Sequence, residues 1–231
     1  FFKQKTAYEM RISDWSSDVC SSDLETFAAI APALAPGALV TDAGSVKGAI
    51  LLAARRLPSA NPFVGAHPMA GGEKAGASHA SAQLFEGRVC FLTPTGSEDP
   101  QALATVRRFW QELGSALHET DAAKHDEIVA AISHVPHAAA SALMLAVMDQ
   151  AGFRRFAAGA GLRDTTRIAA GEENLWVGIM LANARHTAAG LRDLERRAAE
   201  LRAAVEANDA ATLRRLLAEA RIARQNLDRS E

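Results

Sequence analysis

The sequence predicts an α/β segment followed by an all-α segment, on two observations. Between residues 25 and 120, short apolar runs of strand length alternate with stretches whose apolar residues recur every three or four positions. That alternation is the pattern of a mainly parallel sheet carrying helices on its faces. After Thr120 the strand-like runs stop, and alanine, leucine and arginine dominate at helical spacing. The 231 residues are therefore expected to divide into a leader (1–24), an α/β part (25–120) and a helical part (121–231).

The elements follow in order. Glu25 to Leu34 is predicted as a helix with Phe27, Ile30 and Leu34 on one face, stopped by Pro36-Gly37. Ala38 to Thr41 is a short buried strand, Val46 to Leu57 a helix, and Phe63 to Ala66 and Arg88 to Leu92 two further strands. Gln101 to Leu113 and Ser115 to Glu119 complete the α/β part as helix and strand. Asp121 to Ile132 and Pro136 to Gln150 are helices, the proline being tolerated in a first turn because its missing N–H has no helical partner there. From Val177 through Met180, Ala184, Thr187, Leu191, Leu194, Ala198 and Leu201 to Val205 the spacing of three then four predicts one long heptad-like helix. Its other face carries Arg192, Asp193, Arg196, Arg197, Glu200 and Arg202, a solvated ion-pair face with Asp193 and Arg197 four apart. A stripe that long needs a partner helix, so a homodimer is expected.

Bulk properties exclude several classes. A net charge of −2 and a pI near 6.4 give no electrostatic reason to expect nucleic acid or an anionic membrane surface as partner. No uninterrupted apolar run approaches the ~20 residues of a membrane helix. Cys20 and Cys90 are too few for a disulfide scaffold or a four-cysteine zinc site, so a reducing, cytoplasmic setting is expected. Residues Phe1 to Leu24 have no helical or alternating period and no apolar core of a secretory signal, so they are expected to be disordered.

His67 is the strongest chemical candidate: an imidazole leaving an apolar strand, held by Pro68 and followed by glycines and Glu73. A histidine near neutral pKa suits the acceptance of a proton from an alcohol during hydride transfer. Ser45 stands at a helix start where a hydroxyl can cap, and Lys47 is expected on the solvent side. His134 and His137 are three apart at a helix entrance, but no cysteine or carboxylate completes a ligand set, so no metal is expected.

Three blocks, Thr41-Asp42-Ala43-Gly44-Ser45-Val46-Lys47-Gly48, His67-Pro68-Met69-Ala70-Gly71 and Gly161-Leu162-Arg163-Asp164-Thr165-Thr166-Arg167 with Trp176, together resemble the prephenate/arogenate dehydrogenase family. The resemblance runs from about Glu25 to the C-terminus. It implies a partial Rossmann-type dinucleotide-binding domain, its first βαβ unit missing, plus a helical dimerisation domain. The Gly-x-Gly-x-x-Gly fingerprint is absent, and Gly159-Ala160-Gly161 lacks both the third glycine and a preceding strand. Residues 1–24 are similar to translated sequencing-adapter sequence. The family's activity is oxidative decarboxylation of prephenate or arogenate with hydride transfer to NAD or NADP. On this resemblance His67 is the catalytic acceptor, and Ser45 bonds both it and the substrate. Asp42, Gly44 and Ser45 lie at the cofactor. Arg167 and His137 bind substrate carboxylates; Asp164 orients Arg167, Gly161 and Trp176 line the pocket, and Glu73 gates it. Two rivals remain: an inert helical dimerisation fragment, and another Rossmann-type hydroxyacid dehydrogenase that would need a catalytic lysine such as Lys124, whose context gives no support.

Overall fold

The computed structural model describes residues 19–70, 81–150 and 152–227. Glu73 and the glycines Gly71 and Gly72 lie outside them. The described chain forms two compact units, 1–187 and 188–231.

In the first unit, strands β1 (Val40–Thr41), β2 (Phe63–Pro68), β3 (Val89–Thr93) and β4 (Ala116–Glu119) make one sheet in sequence order. β1 and β2 run parallel, as do β3 and β4, while β2 and β3 are antiparallel with His67 opposite Phe91. The mainly parallel sheet thus contains one antiparallel pair, a junction that needs no crossover helix.

Side chains alternate across a strand, and that alternation positions His67. Val64, Ala66, Cys90 and Leu92 point to one face, where they bury Val106 and Trp110 of α3 (Pro100–Glu112), with Phe85 edge-on to Trp110 at 5.4 Å. Gly65, His67, Phe91 and Thr93 therefore occupy the opposite face. A Cβ on Gly65 would come within 2.5 Å of Thr93 Oγ1, so only glycine fits beside that threonine. Helix α3 starts on Asp99, whose carboxylate accepts from Gln101 N–H at 2.9 Å, and stops at Gly114 with φ of 85°.

A second cluster joins Phe27 of α1 (Val19–Ile30) to Val40, Ile50, Ala53 and Leu57 around α2 (Lys47–Ala54). Helix α1 reaches back to Val19, so the expected absence of any element over Phe1–Leu24 does not hold for its last turns. Extending an existing helix costs far less than nucleating one, and the weak pattern there suffices.

Beyond Thr120, α4 (Ala122–Val129) passes through a π-helical turn, Ala130–His134, directly into α5 (Val135–Met148). The two helices expected here are thus continuous, and Pro136 sits inside the run. The widened turn just before it relieves the clash a proline ring makes with the preceding turn of a regular helix. An 18-residue window of Ala122–Met148 has a mean hydropathy of 1.6, long and apolar enough to cross a membrane by length and composition, against the expectation that no such segment exists. Its inward side nevertheless carries the buried polar residues His125, Asp126, His134 and His137.

Helices α6 (Ala160–Thr166) and α7 (Glu173–Ala182) follow, with a 3-10 turn, Arg167–Ala170, between them. The single long helix expected from Val177 is broken at Asn183, and α8 (Ala184–Glu206) starts anew. The cause is chemical: Asn183 leaves helical geometry (φ −114°, ψ 34°) and turns its amide inward to donate to the Asp126 carbonyl at 2.7 Å.

In the second unit, α8 is followed by α9 (Ala210–Leu227), which lies beyond the heptad reading's end at Val205; Asn208 takes φ of 51° and Asp209 caps α9 by accepting from Ala211 and Thr212 N–H. The exposed ion-pair face exists, but Asp193 pairs with Arg196 rather than Arg197, and Glu200 accepts from both arginines. Leu194, Leu201 and Val205 of the apolar stripe remain exposed.

Candidate active site

The site starts at the carboxyl ends of the parallel pair β1 and β2, the edge at which open α/β sheets bind ligands. Asp42, just past β1, accepts from Gly44 N–H at 2.8 Å and Ala66 N–H at 2.9 Å and forms an ion pair with Lys47. Lys47 Nζ also donates to the Ala66 carbonyl at 2.5 Å. Lys47 is fully buried, which corrects its expected solvent position: its stem runs under the sheet edge to reach Asp42. Ser45 is half-buried and does not cap α2, whose N-cap is Val46. The cap comes from another element, because Asp126 of α4 accepts from Lys47 N–H at 2.8 Å and Gly48 N–H at 2.9 Å.

Asp126 anchors a chain of three groups. Its Oδ1 lies 2.8 Å from His125 Nδ1, and His125 Nε2 lies 2.9 Å from His67 Nδ1. Burial alone would raise the Asp126 pKa, but bonds from His125 and from the Gly48 and Lys47 N–H groups outweigh it and hold the carboxyl below its ordinary value. His67 is 9% exposed. Burial first, then the charges of Lys47, His125 and His134, push it well below the ordinary imidazole value, so it is neutral near pH 7.

Next to this chain stands a second group. His134, brought inward at the end of the π turn, has Nδ1 3.3 Å from the Asn183 amide that also bonds Asp126. Its ring lies edge-on to Trp176 at 6.5 Å, and Trp176 stacks on His137 at 3.6 Å with 15° between the planes. A Cβ on Gly171 would fall 2.5 Å from Trp176 Nε1, so the end of the Arg167–Ala170 turn lies against the stack. His137 is buried, its Nδ1 without a hydrogen-bond partner among the described residues. His67 and the His137–Trp176 pair thus belong to one polar cluster, linked through His125, Asp126, Asn183 and His134. Arg167, Asp164 and Gly161 sit on the exposed side of α6 and the turn after it.

His125, Asp126 and Asn183 escaped the sequence reading, since a polar pair within a helix reads as a surface face. The faint signal was the Asp121 N-cap, which fixes where α4 begins and hence which way His125 points.

Burial lowers His134 to about 4. From pH 6.5 down to about 4 the unfolded chain binds a proton at this residue and the folded chain does not, so stability is expected to fall with acid across that window. The full loss approaches about 3 kcal/mol. His67 and His137 act in the same direction. Urea midpoints measured between pH 7.5 and 4 test this; a flat profile would mean these imidazoles are not held neutral.

The sheet edge presents a buried imidazole, and a helix of the following segment backs it with a carboxylate. The profile for "Prephenate dehydrogenase, nucleotide-binding domain" matches residues 22–119, and that for "Prephenate dehydrogenase, dimerization domain" matches 121–219. Cyclohexadienyl dehydrogenase of Zymomonas mobilis is 37% identical over 163 residues, covering 68% of this chain and 55% of that protein; prephenate dehydrogenase of Bacillus subtilis is 34% identical over 82% of this chain and 52% of its own. The structure of Aquifex aeolicus prephenate dehydrogenase in complex with hydroxyphenyl propionate and NAD+ superimposes with a TM-score of 0.82 at 31% identity, covering 90% of this chain and 74% of that one. Synechocystis arogenate dehydrogenase gives a TM-score of 0.76 at 32% identity, covering 88% and 74%. The chain belongs to the prephenate dehydrogenase family. It spans about half the length of the curated relatives it matches.

Proposed function

We propose that this chain carries the substrate-binding and proton-accepting part of an enzyme that oxidatively decarboxylates prephenate or arogenate, working as a cytoplasmic homodimer. The observation that carries the reading is the neutral His67, held at the carboxyl edge of the sheet by His125. The β1 loop lies at the edge where a dinucleotide would sit, and Asp42, Gly44 and Ser45 are the residues to hold it, with the turn braced by the Gly44 N–H on Asp42 and by the Asp42–Lys47 pair. Bound NAD or NADP supplies a hydride acceptor.

His67 takes the proton of the ring hydroxyl while the carbon bearing that hydroxyl loses its hydride. The ring carboxylate then leaves as carbon dioxide, and the electrons of its C–C bond complete the aromatic ring. Arg167 pairs with one substrate carboxylate through its planar fork and His137 with the other, using the ring nitrogen that has no hydrogen-bond partner among the described residues. Asp164 orients Arg167, Gly161 and Trp176 line the pocket, and Glu73 closes it.

Calorimetric titration of the chain with hydroxyphenylpropionate, with and without NAD+, tests the reading. Saturable binding is expected, weakened about 10- to 100-fold in Arg167→Ala, the value of a charge-assisted pair. Undiminished binding by that variant would remove Arg167 from the site. Comparing prephenate with arogenate, after joining the chain to the upstream half of the Zymomonas relative, identifies the substrate.

A further inference from the structure

We infer that His125 and Asp126 are a positioning pair that fixes His67 in the tautomer protonated on Nδ1, leaving Nε2 as the bare, proton-accepting nitrogen. This rests on the reading of His67 as the acceptor. The argument runs along the bonds. Both oxygens of Asp126 face donors: His125 Nδ1 and Lys47 N–H at one, Gly48 N–H at the other. A carboxylate so placed only accepts, so the hydrogen between it and His125 sits on His125 Nδ1. In a neutral His125 ring Nε2 is then the acceptor. The single hydrogen of the contact between the two rings must come from His67 Nδ1, and its Nε2 keeps a lone pair. The reverse arrangement would set a bare His125 Nδ1 lone pair against the carboxylate inside a buried site, an unfavourable contact with nothing to relieve it.

Packing fixes the relay ring. His125 is fully buried, with Phe91 edge-on at 5.2 Å and His67 edge-on at 5.1 Å. The pair also belongs to two parts of the chain at once. Asp126 caps α2 of the nucleotide-binding segment while lying in α4 of the dimerization segment, so docking α4 on the sheet and setting the His67 proton are one event. When Nε2 takes up a proton, the positive ring is stabilised through His125 toward Asp126, in the manner of outer partners that orient a metal-bound histidine.

The test is the ring-nitrogen NMR spectrum of the full chain labelled with 15N-histidine, with the His67 signals assigned by their loss in His67→Asn. The Nδ1–H form is expected for His67, although the Nε2–H form predominates in a free histidine side chain. His125→Phe keeps a ring but removes the acceptor, and should return His67 to Nε2–H; His125→Gln restores an acceptor and should retain Nδ1–H. An Nε2–H form in the wild type overturns the proposal, as does an unchanged tautomer in a folded His125→Phe. If that variant does not fold, the wild-type spectrum decides alone. Neither substrate nor cofactor enters the measurement. A chain with the expected tautomer that does not bind hydroxyphenylpropionate would sink the proposed function and leave this inference standing; the opposite result would do the reverse. In the joined enzyme, His125→Phe is expected to lower kcat about 10- to 100-fold with KM little changed, as for other orienting partners.

Discussion

Replacing His67 by asparagine is expected to lower kcat by about 10²- to 10⁴-fold in the enzyme made by joining this chain to the upstream part of a relative, the usual contribution of a positioned general base. Asparagine is smaller than histidine, but its amide nitrogen can take the place of Nδ1 and still donate to His125 Nε2, so the link to the relay survives. What is lost is the lone pair proposed to accept the hydroxyl proton. KM should therefore change little if, as proposed, Arg167 and His137 hold the substrate carboxylates, and a fall confined to kcat is the signature of an interaction made in the transition state. Steady-state kinetics on wild type and variant decide the matter: a turnover within a few-fold of the wild type would remove His67 from the chemistry.

Lys47→Met is expected to destabilise the chain by about 3 to 5 kcal/mol, since removing one partner of a buried ion pair leaves the other charge uncompensated. Lys47 is fully inaccessible and the Asp42 side chain is 13% exposed. After the substitution Asp42 keeps, among the described residues, the Gly44 and Ala66 N–H groups. Methionine replaces most of the stem volume, so the loss reports the charge rather than a void. The double variant Asp42→Asn with Lys47→Met should recover much of the stability, because the stranded charge is gone; a urea-denaturation double-mutant cycle measures the coupling. A loss below about 1 kcal/mol for the single variant would contradict the burial of this pair.

Much of this fold is legible in the chain because its signals are local. Strand length, apolar alternation and stops such as Gly114 lie within a few residues of what they determine, although α1 ends at Ile30, ahead of Pro32, and not at the expected Pro36-Gly37. His67 is legible for the same reason: its strand, proline and glycines are adjacent to it. Lys47 is not, although its partner Asp42 is five positions away, because only the assembled sheet edge turns a lysine near a helix start into a buried cation. The His125–Asp126 pair is invisible for a related reason. Its value lies in contacts with residues 67, 47 and 48, on strands and helices far upstream. Asn183 hides differently, since the heptad pattern runs through it and only its inward amide interrupts the helix.

The widened turn at Ala130–His134 has one more consequence. In a regular helix His125 and His134 would be about two and a half turns apart, pointing to opposite sides. The slip in hydrogen-bonding phase within that turn lets both look inward, so a single rod supplies the carboxylate relay and also His134 and His137, the rings that face Trp176. Losing one residue from the turn would rotate every side chain after it by about a quarter circle or more and dismantle half the site while leaving the helix whole.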